Sequence, residues 1–113
     1  MKNLRVVLAV EETLASTVID EWARRLEARP AAPPEIRNPR IEEVGKCCVL
    51  RWEWMPLTEK DIYDLISVCE LLVCPYEIVV VGDRSLDDVQ YWHGAQELPV
   101  RLMARVEVKA RIR

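Results

Sequence analysis

Residues 45–82 read GKCCVLRWEWMPLTEKDIYDLISVCELLVCPYEIVVVG, and this stretch decides the fold class. Gly45-Lys46 is a turn into Cys47–Met55. That segment alternates, with Cys48, Leu50, Trp52 and Trp54 on one side and Cys47, Val49, Arg51 and Glu53 on the other. A period of two predicts a half-buried strand. Thr58 then opens a helix, where Thr58 and Asp61 stand at the spacing of a capping box. Ile62, Leu65, Ile66, Cys69, Leu72 and Val73 recur in steps of three and one, the spacing of a buried helical stripe. Pro75 stops the helix, and Tyr76–Val81 follows as a buried strand that ends at Gly82-Asp83.

The flanking residues extend this strand–helix–strand unit. Leu4–Val10 is a nearly continuous apolar run of strand length. Residues 12–29 place Leu14, Ala15, Val18, Ile19, Trp22, Ala23 and Leu26 on one helical stripe, with charged residues opposite. Pro30 ends that helix. Pro30, Pro33, Pro34 and Pro39 make an extended connection, and Glu35–Val44 reads as a weak edge strand or a loop. Residues 84–98 read as a polar and aromatic surface segment with a helical turn after Ser85. Val100–Arg113 closes the chain in strict alternation: Val100, Leu102, Ala104, Val106, Val108, Ala110 and Ile112 against Arg101, Met103, Arg105, Glu107, Lys109, Arg111 and Arg113. No helix fits that pattern, so it predicts a long strand.

The order β-α-β-β-α-β predicts an α+β, ferredoxin-like sandwich: two helices on one face of an antiparallel or mixed sheet, with an additional long C-terminal strand. The expected organisation is a single domain over residues 1–113. By surface scaling, a chain of this mass buries about two thirds of its surface, enough for a core without metal or disulfide staples.

Composition narrows the class further. Half of the residues are apolar and 31% are charged, which excludes a disordered chain. Apolar runs of a few residues fall far short of the ~20 a bilayer needs. The N-terminal apolar stretch is too short for a signal-peptide core, so the expected localisation is cytoplasmic, with no membrane partner. Cys47, Cys48, Cys69 and Cys74 are then read as thiols, Cys47 being the candidate for an exposed one. The net charge of −3 is unevenly spread. Residues 1–56 carry nine basic and nine acidic side chains, residues 57–98 two and nine, and residues 99–113 five and one. The middle is acidic and the tail basic.

No cofactor or catalytic motif emerges. Gly45, Gly82 and Gly94 are too far apart for a phosphate-binding loop. Adjacent cysteines on a strand point to opposite faces and cannot share a zinc ion. His93 is the lone histidine. Asp83, Asp87 and Asp88 follow a buried strand at its C-terminal end, where carboxylates could hold magnesium, though turn and capping chemistry explains Asp83, Ser85 and Asp88 equally. Trp52 and Trp54 share a face with Leu50 and are read as core, outside any glycine-aromatic RNA-binding signature.

The segment that stands out is DRSLDDVQYWHGAQE, residues 83–97. It brings Tyr91 and Trp92 together with Asp87, Asp88 and His93. Aromatic anchors with an acidic rim suit a protein interface with a basic partner. The alternative for Trp92 is a plug over the core. The expectation is therefore a non-catalytic protein-interaction module, a regulator or inhibitor, without cofactor or metal. One version, from size and charge alone, is a mobile-element-encoded inhibitor that shows an acidic surface to a nucleic-acid-binding enzyme. The alternatives are a small metal-dependent enzyme built on Asp83, Asp87, Asp88 and His93, and a nucleic-acid-binding domain using Arg101, Arg105, Lys109, Arg111 and Arg113. The negative overall charge weighs against nucleic acid. An exposed sheet edge would also allow a homodimer.

Overall fold

The structure is a computed structural model in which residues 3–27, 36, 38–82, 89–96 and 98 are described. Among the described residues, five strands and two helices make an α+β architecture. Strand β1 spans Asn3–Glu11, and a 3-10 turn at Glu12–Leu14 leads into helix α1, Ala15–Glu27. Strands β2 (Arg40–Val44) and β3 (Cys47–Pro56) form a hairpin across Gly45-Lys46, where Gly45 takes a φ of 61° that glycine adopts without steric cost. Helix α2 (Glu59–Leu71) crosses to β4 (Tyr76–Gly82), and β5 is Val89–His93. The sheet order is β2-β3-β1-β4-β5, and every neighbouring pair is antiparallel.

Two of the sequence expectations change here. Residues 40–44 of the doubtful segment do pair as an edge strand. The fifth described strand is Val89–His93, inside the stretch read as polar surface. Five residues interrupted by Gln90 and His93 give too short an alternation to stand out. Pairing of Ile78 with Trp92 and Val79 with Tyr91 supplies what the local pattern lacks. The expected C-terminal strand at 100–113 and the helical turn after Ser85 lie outside the described residues.

Both helices pack on one side of the sheet. Val6, Leu8 and Val10 of β1, Leu50 and Trp52 of β3, and Ile78 and Val80 of β4 meet Val18, Trp22 and Leu26 of α1 and Ile62, Leu65 and Val68 of α2. Trp22 and Trp52 sit edge to face, with ring centroids 5.1 Å apart and planes at 78°. Each indole is also satisfied as a donor. Trp22 Nε1 donates to the Asp61 carbonyl at 3.0 Å, and Trp52 Nε1 to the Ile36 carbonyl at 2.7 Å. These two bonds tie α1 to the start of α2, and β3 to Ile36.

The opposite face is buried as well. Val7, Ala9, Cys47, Val49, Val79 and Val81 are at most 2% exposed and form a second apolar layer with Leu98. Cys47 is therefore a buried thiol, contrary to the expectation of an exposed one. The alternation in Cys47–Pro56 marked two faces correctly and half-burial wrongly, because period two reports where a side chain points and not what covers it. All four cysteines are buried free thiols.

The pairing of β1 with β3 contains a bulge. Leu4 faces Met55 while Val6 faces Trp52, so β3 takes three steps where β1 takes two. Trp54, at φ 52°, absorbs the extra residue. Side-chain direction flips beyond it. Trp54 packs with the second layer, and Met55 packs against the helix-side core. The shared face expected for Trp52 and Trp54 is thus broken.

The capping box at the start of α2 is present. The Asp61 amide donates to Thr58 Oγ1 at 3.2 Å, and the Thr58 amide donates to Asp61 Oδ2 at 2.8 Å. At the other end α2 closes before Pro75, by bonds from Val73 N to Glu70 O and from Cys74 N to Cys69 O. This is a Schellman closure, and its left-handed position, usually glycine, is held by Val73 at φ 51°. A β-branched residue there is strained, and Val73 is exposed, so its side chain buries little in return. Val73→Gly is expected to stabilise the chain by about 1 kcal/mol in urea unfolding. A loss of stability would mean that the Val73 side chain contributes more than its backbone strain costs.

Candidate functional site

Strand β5 lies at one edge of the described sheet, and β2 at the other. The two edges differ in chemistry. Strand β2 carries Arg40, Glu42 and Glu43, charges that oppose pairing with another strand. Strand β5, with the sequence VQYWH, carries no acid, lysine or arginine.

The residues singled out in this segment are not brought onto one surface. Trp92 pairs with Ile78, points to the helix side and packs, half-buried, against the main core. Of the two readings for Trp92, the structure gives the core plug. Tyr91 and His93 point to the other side, with ring centroids 5.8 Å apart. Tyr91 is 42% exposed. His93 is exposed, and its Nδ1 lies 2.9 Å from the Gly94 carbonyl. A carbonyl can only accept, so in this contact Nδ1 is the donor. Asp87 and Asp88, with Asp83, lie outside the described residues.

A recess opens on each side of β5. On the helix side a cleft of about 270 Å³ is lined by Leu4, Leu57, Ile62, Val80 and Trp92, with Thr58, Glu59, Tyr63 and Gln90 as polar groups. It lies where the capping box fixes the first turn of α2. On the far side a recess of about 280 Å³ is lined by Glu77, Tyr91, His93, Gln96 and Leu98 beside the Tyr76 ring. Gly94 floors this recess. A Cβ on it would come within 2.9 Å of the Tyr76 ring, so no larger residue fits without displacement. Nothing in the sequence marks Leu57, Gln90 or Gly94 as site residues. None belongs to a motif, and only pairing of β5 with β4 places them around one strand.

Tyr76 is the strongly perturbed group here. Its hydroxyl donates to Glu70 Oε1 at 2.6 Å. Burial, and then the neighbouring carboxylate, push its phenol well above the ordinary value. The sign follows from linkage. A folded-state pKa above the unfolded one adds stability at all pH below ~10, and this is lost as pH rises through the unfolded value toward the folded one. The melting temperature should therefore fall more steeply above pH ~10 in the wild type than in Tyr76→Phe. Parallel curves would remove Tyr76 as the source.

The thiol pair at the end of α2 has one clear direction. Its hydrogen bond with Cys74, together with burial, holds the Cys69 thiol far above the ordinary range, so Cys69 stays protonated. Among the described residues no three His, Cys, Asp or Glu side chains group so as to hold a metal ion. No described helix is long and apolar enough to cross a membrane. No protein-family model matches the chain, and no curated protein and no solved structure matches it.

Proposed function

We propose that this chain is a non-catalytic protein-interaction module, a regulator or inhibitor, that takes its partner at the β5 edge. The observation that carries the reading is the geometry of that edge. An uncharged five-residue strand has a recess on each face of the sheet. An extended peptide that adds to an edge alternates its side chains between the two faces. Backbone bonds then supply affinity, and the two recesses supply selectivity. Tyr91 is the exposed aromatic anchor. Asp87 and Asp88, two residues or fewer before the strand, supply the acidic rim that steers a basic partner. A nucleic-acid-binding enzyme, which this chain would inhibit, is one partner class that fits such a rim.

The ferredoxin-like reading belongs to the same proposal. The path β1-α1-β2-β3-α2-β4, with β1 and β3 in the middle of those four strands, supports it. The full five-strand order departs from that plan by the strand added beyond β4.

The test is capture of partners from lysate with the tagged chain, with and without nuclease, followed by affinity measurement on the purified partner. Tyr91→Ala is expected to weaken binding at least about tenfold. Asp87→Lys with Asp88→Lys should lower the association rate and its salt dependence. Trp92→Ala is a poor probe, because it also disturbs the core. A partner bound equally by wild type, Tyr91→Ala and the double lysine variant would defeat the proposal. A nuclease-sensitive polyanion would move the function to the basic tail.

A further inference from the structure

We infer that Cys69 and Cys74 form a redox-active dithiol that hydrogen peroxide closes to a disulfide across the C-terminal turn of α2. The placement follows from how α2 ends. In the Schellman closure the Cys74 amide donates to the Cys69 carbonyl at 3.2 Å, and the Val73 amide donates to the Glu70 carbonyl at 3.1 Å. The chain thereby folds back, and the last residue of the turn stands over the first. Cys74 Sγ lies 3.5 Å from the same Cys69 carbonyl oxygen, and both side chains belong to the helix-side core. A disulfide needs two cysteines whose Cβ atoms face each other at short range. Cys47 and Cys48 do not meet that condition. They are neighbours on β3 that point to opposite faces, Cys47 into the second layer and Cys48 into the first.

The two sulfurs have different roles. The Cys69 thiol donates to the Cys74 sulfur, which keeps Cys69 protonated and draws Cys74 toward the thiolate. The thiolate is the form that attacks a peroxide. Cys74 follows Val73, whose left-handed backbone is strained and whose side chain is exposed, so the weak point of the closure lies next to this sulfur. Cys74 is 4% exposed, and loss of the two turn hydrogen bonds, without unfolding of the sheet, admits a small oxidant. The Cys74 thiolate attacks one peroxide oxygen and the O–O bond breaks, leaving Cys74 sulfenic acid and hydroxide. That hydroxide takes up the proton Cys74 gave away. The Cys69 sulfur then attacks the Cys74 sulfur, the S–O bond breaks, and hydroxide leaves as water with the Cys69 proton. The two thiols together lose two electrons and two protons, and one peroxide becomes two waters. A dithiol reductant reverses the bond by exchange. An apolar contact between these two positions accompanies many such closures and needs no sulfur chemistry. That packing role alone predicts no preference among four buried thiols.

The test treats the reduced full chain with hydrogen peroxide in native buffer, alkylates the remaining thiols in urea, and weighs the tryptic peptides. Residues 61–84 make one such peptide, following Lys60 and ending at Arg84, while Cys47 and Cys48 fall in another, residues 47–51. The 61–84 peptide is expected to lose both alkylation sites together, with two hydrogens, at least about tenfold faster than the 47–51 peptide is oxidised. A dithiol reductant should restore it. In Cys69→Ala the Cys74 sulfenic acid has no thiol to resolve it, so a dimedone adduct should collect on Cys74 at least about tenfold above wild type. In Cys74→Ala, Cys69 should remain a free thiol. No oxidation of the 61–84 peptide, oxidation of both peptides at one rate, or dimedone capture on wild-type Cys74 without a disulfide overturns the inference. So does a disulfide that joins two chains. Should either variant fail to fold, the wild-type ratio decides: equal rates for the two peptides in native buffer, as in urea, overturn the inference.

Discussion

Trp52→Ala is expected to cost about 3–5 kcal/mol of folding stability, the largest loss from a single truncation in the helix-side core. Trp52 is 1% exposed, so its removal opens a void between β3 and α1. The edge-to-face contact with Trp22 is lost, and with it ~0.5–1.5 kcal/mol beyond the area term. The Ile36 carbonyl also loses its donor, and a buried acceptor left unpaired costs ~1–3 kcal/mol. These contributions overlap and do not simply add. A domain of this size has ~5–15 kcal/mol in total, so the variant should melt far lower or fail to fold. Trp52→Phe separates the terms: it keeps an aromatic ring and removes the donor, and should cost less than the alanine change. Urea unfolding of the three proteins checks the order. A Trp52→Ala loss below about 1 kcal/mol would mean that the ring does not sit in a packed interior.

Val79→Asp should destabilise by at least about 4 kcal/mol, although sequence reading alone gives no reason to separate Val79 from its neighbours. The strand β4 is apolar on both sides, with Val79 in the second layer and Ile78 and Val80 in the first, and Val79 is 0% exposed. A carboxylate there would be stripped of water among the apolar side chains of that layer. Its folded pKa would rise far above the unfolded ~3.9, so the deficit grows with pH between the two values and shrinks as pH falls toward the unfolded one. Stability of Val79→Asp relative to wild type should thus improve between pH 7 and pH 4. Gln90→Asp, at an exposed position on β5, should stay within about 0.5 kcal/mol of wild type. A mild loss for Val79→Asp would show that the second face admits water.

The bulge shows where local pattern stops being enough. The run Cys48, Leu50, Trp52, Trp54 looks like one face of one strand. The inserted step at Trp54 breaks it, because β1 has one residue between Leu4 and Val6 where β3 has two between Trp52 and Met55. Nothing in the strand's own sequence records the length of its partner. The candidate site follows the same logic. Tyr91, Trp92 and His93 were visible as an aromatic group, but their division between two faces depends on pairing with β4. The recesses beside them are formed by Leu4, Leu57 and Tyr76, residues far from β5 in the chain.

By itself the sequence determined both helices, the two central strands β1 and β3, strand β4, and the capping box that starts α2. Each of these rests on interactions within a few residues: a stripe at helical spacing, an apolar run, a threonine three positions before an aspartate. The tertiary structure decided the strand order, the burial of the second face with Cys47 in it, the bulge at Trp54 and the position of β5 at an edge of the described sheet. Each of those depends on what lies opposite a residue across the sheet or above it. Side-chain period fixes direction, but only packing between distant segments decides whether that direction ends in solvent or in another layer.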